Sequence, residues 1–282
     1  MTPAAAAGPG DRLAGQTAIV TGAGRGLGRA IAMTLAAEAA VVVAIARSAG
    51  EVDETVALIR ESGGRGSGVA MDVTDRTAFG RAVTELGESW GAVDLLVNNA
   101  AVIEPLGPAW QVPMDQWWRL MEINVLGPMN GAHAVLPAMT AAQRGRIVNI
   151  VSGVGLQSVE NMSAYATSKA ALIRLTEALA LDTADHGIAV FAVDPGYMTT
   201  SMSHYLSYSE AGQRWTPRAA SLFDTPAHVP VDLAAHLVAT LATGVADKLT
   251  GRFLTVWDDV DDLARRADEI VAGDLQAMRL RN

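Results

Sequence analysis

Cysteine is missing from the 282-residue sequence, and acidic residues outnumber basic ones, 30 against 21. The lack of cysteine excludes disulfide bonds and Cys-ligated zinc and fits a reducing compartment, so we expect a cytoplasmic protein. The net charge of −9 argues against a nucleic-acid-binding surface, which needs a basic footprint. Long apolar stretches are also missing. The longest uncharged run, Ile123–Gln143, includes polar residues and prolines, so we expect no membrane span.

The rest of the composition is typical of one folded domain. Half of the residues are hydrophobic and 18% are charged, which excludes a disordered chain. Residues 1–12 lack the basic start and long apolar core of a signal peptide, and we interpret them as a short disordered tail. We therefore expect a single domain over residues 13–257.

Short apolar runs alternate with helical patterns along the chain. The predicted strands are Gln16–Thr21, Val41–Ala46, Gly68–Met71, Val93–Asn98, Arg146–Val151, Ile188–Val193 and Gly251–Val256. The predicted helices include Glu51–Ser62, Arg76–Trp90, Ala164–Leu181, Asp232–Leu241 and a region after Met114 that is interrupted near Gly127-Pro128. Parallel strands need crossover connections, so this βαβ rhythm predicts a doubly wound, Rossmann-type parallel α/β sheet.

A glycine-rich turn, TGAGRGLG, follows the first predicted strand and opens a helix. Glycines there permit a tight turn and a close approach of the backbone to a pyrophosphate, beside the free N–H groups of the helix N-terminus. The alternative is a merely tight βα turn. The motif predicts a dinucleotide site that includes Gly22, Arg25, Gly26, Leu27 and Gly28.

The end of the second predicted strand bears on the choice of dinucleotide. An acidic residue commonly stands there to bind the ribose 2′-OH, but this chain has Ala46-Arg47-Ser48. Arginine suits a 2′-phosphate, so Arg47, with Ser48 beside it and Arg25 in the glycine turn, favours NADP(H). If Arg47 is instead a solvated loop residue, NAD(H) stays open.

Tyr165 and Lys169 lie four residues apart in a predicted helix, so they share one helix face. A nearby cation lowers the pKa of a phenol and makes it usable as a general acid/base. By itself the pair is a weak signal, since a surface helix with a tyrosine and a lysine would look the same.

Taken together, the motifs resemble those of the short-chain dehydrogenase/reductase family over about Leu13 to Val256. The similar segments, in order, are TGAGRGLG, Asp72-Val73, Asn98-Asn99-Ala100-Ala101, Trp117 with Asn124, Val148–Ser152, Tyr165 with Lys169, and Pro195-Gly196 with Thr200. Ser152 precedes Tyr165 by thirteen residues, as the family spacing expects. Alanine replaces the last glycine of the family's N-N-A-G motif.

The resemblance implies a role for each of these residues. Tyr165 would be the general acid/base, with Lys169 lowering its pKa and binding the nicotinamide ribose. Ser152 would hydrogen-bond the reacting oxygen, and Asn124 would hold a water that links Lys169 to solvent; a polar residue in a kinked helix is the alternative for Asn124. The dinucleotide would further contact Asp72, Val73, Asn99, Ala100, Pro195, Gly196, Met198 and Thr200.

Two segments are specific to this chain. Residues 197–230, where the family places a substrate lid, contain Met198, Met202, Tyr205, Tyr208, Trp215 and Phe223. These side chains predict a pocket for a bulky, apolar or aromatic carbonyl compound, unless they only pack the loop. Residues 258–282 show helical spacing of apolar residues and predict an amphipathic helix that docks on the lid region of its own subunit or on a neighbouring subunit.

The leading hypothesis is an NADP(H)-dependent oxidoreductase that interconverts a ketone and a secondary alcohol. The same fold could instead catalyse epimerisation or dehydration with bound dinucleotide, use NAD(H), or sense the dinucleotide without turnover; the complete Asn124, Ser152, Tyr165 and Lys169 set argues against a sensor. The five histidines show no metal-ligand spacing, so we expect no metal site. We also expect a homo-oligomer, either a dimer or a tetramer.

Overall fold

A seven-stranded parallel sheet forms the centre of the computed structural model, which describes residues 10–279. The strand order is β3-β2-β1-β4-β5-β6-β7, which confirms the predicted doubly wound α/β class. The strands are Thr17–Thr21 (β1), Val41–Ala46 (β2), Arg65–Ala70 (β3), Leu95–Asn98 (β4), Gly145–Ile150 (β5), Ile188–Asp194 (β6) and Phe253–Thr255 (β7). Of the predicted N-terminal tail, residues 1–9 lie outside the described part.

Helices connect the strands and cover both faces of the sheet. They are Gly26–Ala37 (α1), Ala49–Glu61 (α2), Arg76–Trp90 (α3), Met114–Met121 (α4), Gly127–Ala142 (α5), Ser163–Asp182 (α6), Ser201–Tyr208 (α7), Glu210–Trp215 (α8), Val231–Ala242 (α9), Val260–Arg265 (α10) and Ala267–Ala272 (α11). Within residues 10–279 no helix combines the length and the apolar composition that crossing a membrane requires.

The central strands are continuous apolar runs because both of their faces are buried. Successive side chains point to opposite faces, so Ala18 and Val20 of β1 pack in one core with α1, α2 and α9. Ile19 packs in the other core with α3, α5 and the end of α6. Every residue of β1 is buried.

The strand order reverses between β1 and β4, and a crevice opens there at the carboxyl ends of the strands. Thr21, the last residue of β1, joins the two strands across this point. Its Oγ1 accepts hydrogen bonds from the N–H groups of Asn99 (3.0 Å) and Ala100 (3.1 Å). These hydrogen bonds fix the predicted binding residues after β1 relative to those after β4.

The helical region after Met114 differs from the prediction of a break near Gly127-Pro128. The chain stays helical there, and the irregularity is a π-helical turn over Glu122–Leu126. Pro128 has no N–H to donate to the carbonyl of Asn124 four residues earlier, and the wider turn accommodates this loss.

The prediction of one amphipathic helix over residues 258–282 is wrong for the described residues. The chain forms α10 and α11 and then turns, and the N–H of Phe253 in β7 donates to the carbonyl of Gln276. Val260, Leu263 and Ile270 are buried in the core on the α1 and α9 face. The segment thus docks on its own subunit, where it covers part of β7.

Candidate active site

A cavity of about 1590 Å³ lies at the carboxyl ends of the strands and joins the predicted motifs. Every predicted dinucleotide-binding residue lines it: Gly22, Arg25, Gly26, Leu27, Gly28, Arg47, Ser48, Asp72, Val73, Asn99, Ala100, Tyr165, Lys169, Pro195, Gly196, Met198 and Thr200. Ser152 lines it as well, whereas Asn124 lies behind the wall.

The glycine turn between β1 and α1 leaves no room for side chains. A Cβ on Gly28 would lie 2.2 Å from the carbonyl oxygen of Gly22, and a Cβ on Gly22 would lie 2.8 Å from Cα of Ala100. Gly22 also has a φ of 65°, which favours glycine. At Arg25, the N-cap of α1, no side chain caps the helix. The N–H groups of the first turn can therefore bind a pyrophosphate, which this part of the cavity fits.

Two arginines lie at the far end of the dinucleotide half. Arg47 follows β2 and is exposed, and Arg25 Nη1 lies 3.4 Å from Oε1 of Glu51. Glu51 also lines the cavity, but the sequence analysis did not select it. Glu51 lies three residues after Ser48, the N-cap of α2, where an acidic residue is typical of a helix start. The sequence pattern is therefore explained by the helix alone and does not indicate that Glu51 lines the site.

Asp72, one of the predicted dinucleotide contacts, follows β3. Its Oδ2 accepts a 2.5 Å hydrogen bond from Nη2 of Arg119, and its Oδ1 accepts one from the Thr74 backbone N–H (2.9 Å). These contacts fix the carboxylate at the edge of the cavity.

Tyr165 and Lys169 project from the first turns of α6 into the floor of the cavity. Their relative exposures are 7% and 3%, so the pair is not the surface tyrosine and lysine that the motif alone would allow. Lys169 Nζ donates a 2.8 Å hydrogen bond to the carbonyl of Ile150 and lies 5.5 Å from the centroid of the Tyr165 ring. Ser152, in the loop after β5, lies on the same floor.

Burial controls the titration of this pair. It raises the pKa of Tyr165 well above its ordinary value, the charge of Asp194 raises it further, and a hydrogen bond with Ser152 opposes the rise. The lowering of this pKa by Lys169, which the resemblance implies, stays a prediction; burial has the largest effect on the phenol. Burial likewise lowers the pKa of Lys169 to about 8, against a rise caused by Asp194.

Asn124 lies in the π-helical turn and is 1% exposed. Its Oδ1 accepts from the N–H of Val102 (2.9 Å), and its Nδ2 donates to the Val102 carbonyl (2.9 Å) and to Ser168 Oγ (3.0 Å). The side chain therefore ties the loop after β4 to α6, next to the Tyr165 and Lys169 pair.

The remaining walls of the cavity are largely apolar. Four of the residues selected in segment 197–230, Met198, Met202, Tyr205 and Trp215, line it. Tyr208 and Phe223 do not; their rings stack on each other with centroids 6.5 Å apart. Sequence spacing did not identify some further apolar residues that line the cavity. Ile103, Val154 and Met162 come from other segments, and Tyr197, Leu206 and Ala219 belong to segment 197–230.

Asp194 is the second charged residue that the sequence analysis missed. It ends β6, lines the cavity and raises the pKa of both Tyr165 and Lys169. Its position at the carboxyl end of a buried parallel strand was a usable signal, since ligands bind at that edge of such sheets.

Comparison with known proteins agrees with this geometry. A family model described as short chain dehydrogenase matches residues 16–211. The sorbitol dehydrogenase of Cereibacter sphaeroides is 40% identical over 186 residues, which cover 66% of this chain and 71% of that protein.

Two solved structures share the fold. The NAD⁺-bound xylitol dehydrogenase has a TM-score of 0.79 and 30% identity, covering 86% of this chain and 98% of that one. A gluconate 5-dehydrogenase from Burkholderia cenocepacia J2315, in complex with NADP and tartrate, has a TM-score of 0.78 and 30% identity, covering 88% and 95%.

The fold and the cavity define a dinucleotide-binding oxidoreductase. The chain belongs to the short-chain dehydrogenase/reductase family. It is an NAD(P)-dependent enzyme that acts on the CH–OH group of alcohols and on the corresponding ketones.

Proposed function

We propose that this enzyme interconverts a ketone and a secondary alcohol on a bulky, apolar or aromatic small molecule, prefers NADP(H), and uses Tyr165 as general acid/base. The observation that carries the proposal is the meeting of Tyr165, Ser152 and Lys169 on the floor of a cavity with apolar upper walls. The predicted homo-oligomer and cytoplasmic location stay predictions.

The bound dinucleotide supplies the hydride. In ketone reduction Tyr165 Oη gives its proton to the carbonyl oxygen, and in alcohol oxidation it accepts the hydroxyl proton. The Ser152 hydroxyl donates to the same oxygen and stabilises its developing negative charge. In this mechanism Lys169 favours the phenolate and binds the ribose, and Asn124 holds α6 in place through Ser168.

The apolar character of the walls supports the proposed substrate class. Segment 197–230, which we propose as the substrate lid, contributes Met202, Tyr205 and Trp215 above the floor. Charged side chains near this half, Glu104, Glu160 and Arg218, are all exposed at its rim. A polyol would place hydroxyl groups against apolar side chains such as Ile103, Met202 and Leu206, where they lack partners, and this costs binding free energy.

We expect a higher kcat/KM for a bicyclic aryl ketone such as 1-tetralone than for a keto sugar such as fructose. Burying one large apolar side-chain equivalent contributes roughly 1.5–3 kcal/mol, so the ratio should be about 10- to 150-fold. Initial rates with NADPH, at concentrations below KM for each compound, measure it.

The polar variant Met202→Gln should reduce that ratio without changing dinucleotide affinity. Met129→Gln, on an exposed position of α5 outside the cavity, is the matched control. A preference for the keto sugar in the unaltered enzyme would refute the proposed substrate class.

The proposed NADP(H) preference depends on Arg47 and Arg25. Ala46 stands at the end of β2 where a carboxylate would repel a 2′-phosphate, and Arg47 follows it beside the cavity. Arg25 is held by Glu51, so it must exchange that partner for the phosphate. We therefore assign the larger share of the preference to Arg47.

Binding of NADPH should be tighter than that of NADH by about one to two decades, because a charge-assisted contact contributes roughly 1.5–3 kcal/mol. Arg47→Ala should remove most of this preference, Ala46→Asp should reverse it, and Glu51→Gln should increase it by freeing Arg25. Fluorescence titration with NADPH and with NADH measures both affinities for the unaltered protein and for the three variants. Arg265→Ala, on the remote helix α10, is the control. Equal affinities in the unaltered protein would mean that Arg47 contributes nothing to selectivity.

A further inference from the structure

Asp194 is a partly buried carboxylate that the reaction described above does not use. It is the last residue of β6, and its two oxygens accept from two different backbone segments. Oδ2 accepts from the N–H of Gly153 (2.9 Å), and Oδ1 accepts from the N–H of Gly196 (3.1 Å). A single side chain therefore joins the loop after β5 to the turn after β6.

Both segments carry proposed functional residues. Gly153 directly follows Ser152, and Gly196 belongs to the Pro195-Gly196 turn that lines the dinucleotide half of the cavity. A shift of the carboxylate would move the Ser152 hydroxyl relative to that turn, and positioning errors of this kind reduce rates strongly.

Asp194 also faces the ionisable residues of α6. Its charge acts on Tyr165 and Lys169, and in both cases it raises the pKa. Burial raises the pKa of Asp194 itself, while the N–H groups of Gly196 and Gly153 and the charge of Lys169 oppose that rise. Ser152, on the loop after β5, is uncharged and hydrogen-bonds the side chain of Tyr165.

We propose that Asp194 is a positioning residue of this enzyme: it holds the Ser152 loop against the Pro195-Gly196 turn and is the partly buried counter-charge of Lys169. The part of this proposal that concerns the reaction rests on the proposed roles of Tyr165 and Ser152. The part that concerns Lys169 can be tested without turnover.

The chain offers a direct measurement, since Lys169 and Lys248 are its only lysines. Lysine labelled with ¹³C at Cε gives two NMR signals, and their pH titrations report the two ammonium groups. Lys169 should titrate near pH 8 in the unaltered protein. In Asp194→Asn its midpoint should move to lower pH by about one unit, because a nearby negative charge is lost, while Lys248 stays unchanged.

The pH profile of alcohol oxidation is the second readout. Activity requires the phenolate form of Tyr165, so kcat/KM should rise with pH. Since Asp194 raises the pKa of Tyr165, Asp194→Asn should move this rise to lower pH by about one unit. Asp194→Glu, which keeps the charge, should restore most of the original profile. Asp194→Ala replaces the asparagine variant if the latter does not fold.

A carboxylate of similar geometry supplies the control. Asp258 Oδ2 accepts from the N–H of Thr255 (2.6 Å) at the end of β7, so Asp258→Asn also removes a carboxylate from a strand end. It should leave both titrations unchanged. If Asp194→Asn moved neither the Lys169 midpoint nor the pH profile, Asp194 would be a structural tie only and the proposal would be wrong. Since the NMR titration needs no turnover, a failure of the proposed reaction would not be mistaken for this outcome.

Discussion

Tyr165→Phe should lower kcat by about 10²- to 10⁴-fold, the usual contribution of a positioned general acid/base. The change removes one oxygen from a buried side chain and leaves the ring, its packing and the Lys169 contact in place. Dinucleotide affinity should stay within about threefold, because the glycine turn and the arginines are untouched. Steady-state rates in both directions, with NADPH affinity from fluorescence titration, measure the two effects separately.

Tyr208→Phe is the matched control. Tyr208 is the last residue of α7, is 53% exposed and does not line the cavity. Its kcat should stay within about twofold of the unaltered enzyme, since surface changes of this kind are small. Substantial turnover in Tyr165→Phe would show that another group moves the proton, and the proposed mechanism would then fail.

The direction of the reaction should respond to pH in a defined way. Burial and Asp194 raise the pKa of Tyr165, so the phenol stays protonated through the neutral range. Reduction, which needs the acid form, should hold its rate over that range. Oxidation, which needs the phenolate, should become faster as the pH rises.

The sequence was sufficient to predict the core of the fold because burial on both faces leaves a strong pattern. β2 and α3 have the predicted bounds, since VVVAIA is a continuous apolar run and α3 shows a clear helical period. β3 was predicted to begin three residues too late, at Gly68 instead of Arg65. It begins with Arg65-Gly66-Ser67, which has no apolar pattern, and Gly66 and Gly68 only make room for Ile59 and Val52 of α2.

Periodicity failed where tertiary contacts decide the structure. The apolar spacing after residue 258 is helical, yet the chain turns after α11 so that Gln276 can accept from the N–H of Phe253 in the edge strand β7. The periodicity of residues 258–282 does not show that their backbone will hydrogen-bond to the unpaired edge of β7. The motifs identified Tyr165 and Ser152 as cavity residues but not Asp194 or Glu51. The contacts of these two carboxylates depend on the folded positions of Gly153, Gly196 and Arg25, which no sequence motif indicates.

Lys169→Met should reduce both kcat and dinucleotide affinity, since the proposal gives the ammonium two tasks. Loss of a charge-assisted hydrogen bond to the ribose costs roughly 1.5–3 kcal/mol, which is about one to two decades in affinity. Turnover should fall by about 10²-fold or more, because Tyr165 loses the cation that favours its phenolate. Methionine keeps most of the volume of the lysine stem, so the packing around this position of α6 is preserved.

Stability should change little at neutral pH, which separates this loss from unfolding. The pKa of Lys169 falls from its ordinary 10.5 to about 8 on burial, which corresponds to a cost of about 3 kcal/mol while the lysine is charged in both states. The methionine variant avoids this cost but leaves the Ile150 carbonyl without its donor, which costs about 1–3 kcal/mol. The two effects largely cancel, so thermal midpoints at pH 7 should differ by a few degrees at most.

The pH dependence of stability gives the Lys169 prediction its sharpest test. Below about pH 8 lysine is charged in the folded and the unfolded chain, and the cost of its burial is fully present. As the pH rises from about 8 to 10.5, folded Lys169 becomes neutral while the unfolded chain still binds the proton, so the original protein gains stability relative to Lys169→Met. Urea unfolding at pH 7 and pH 10 measures this gain. Lys248→Met, at an exposed side chain paired with Asp268, should show neither this dependence nor a loss of turnover. If Lys169→Met lost turnover but bound NADPH as tightly as before, the ammonium would have no part in holding the ribose.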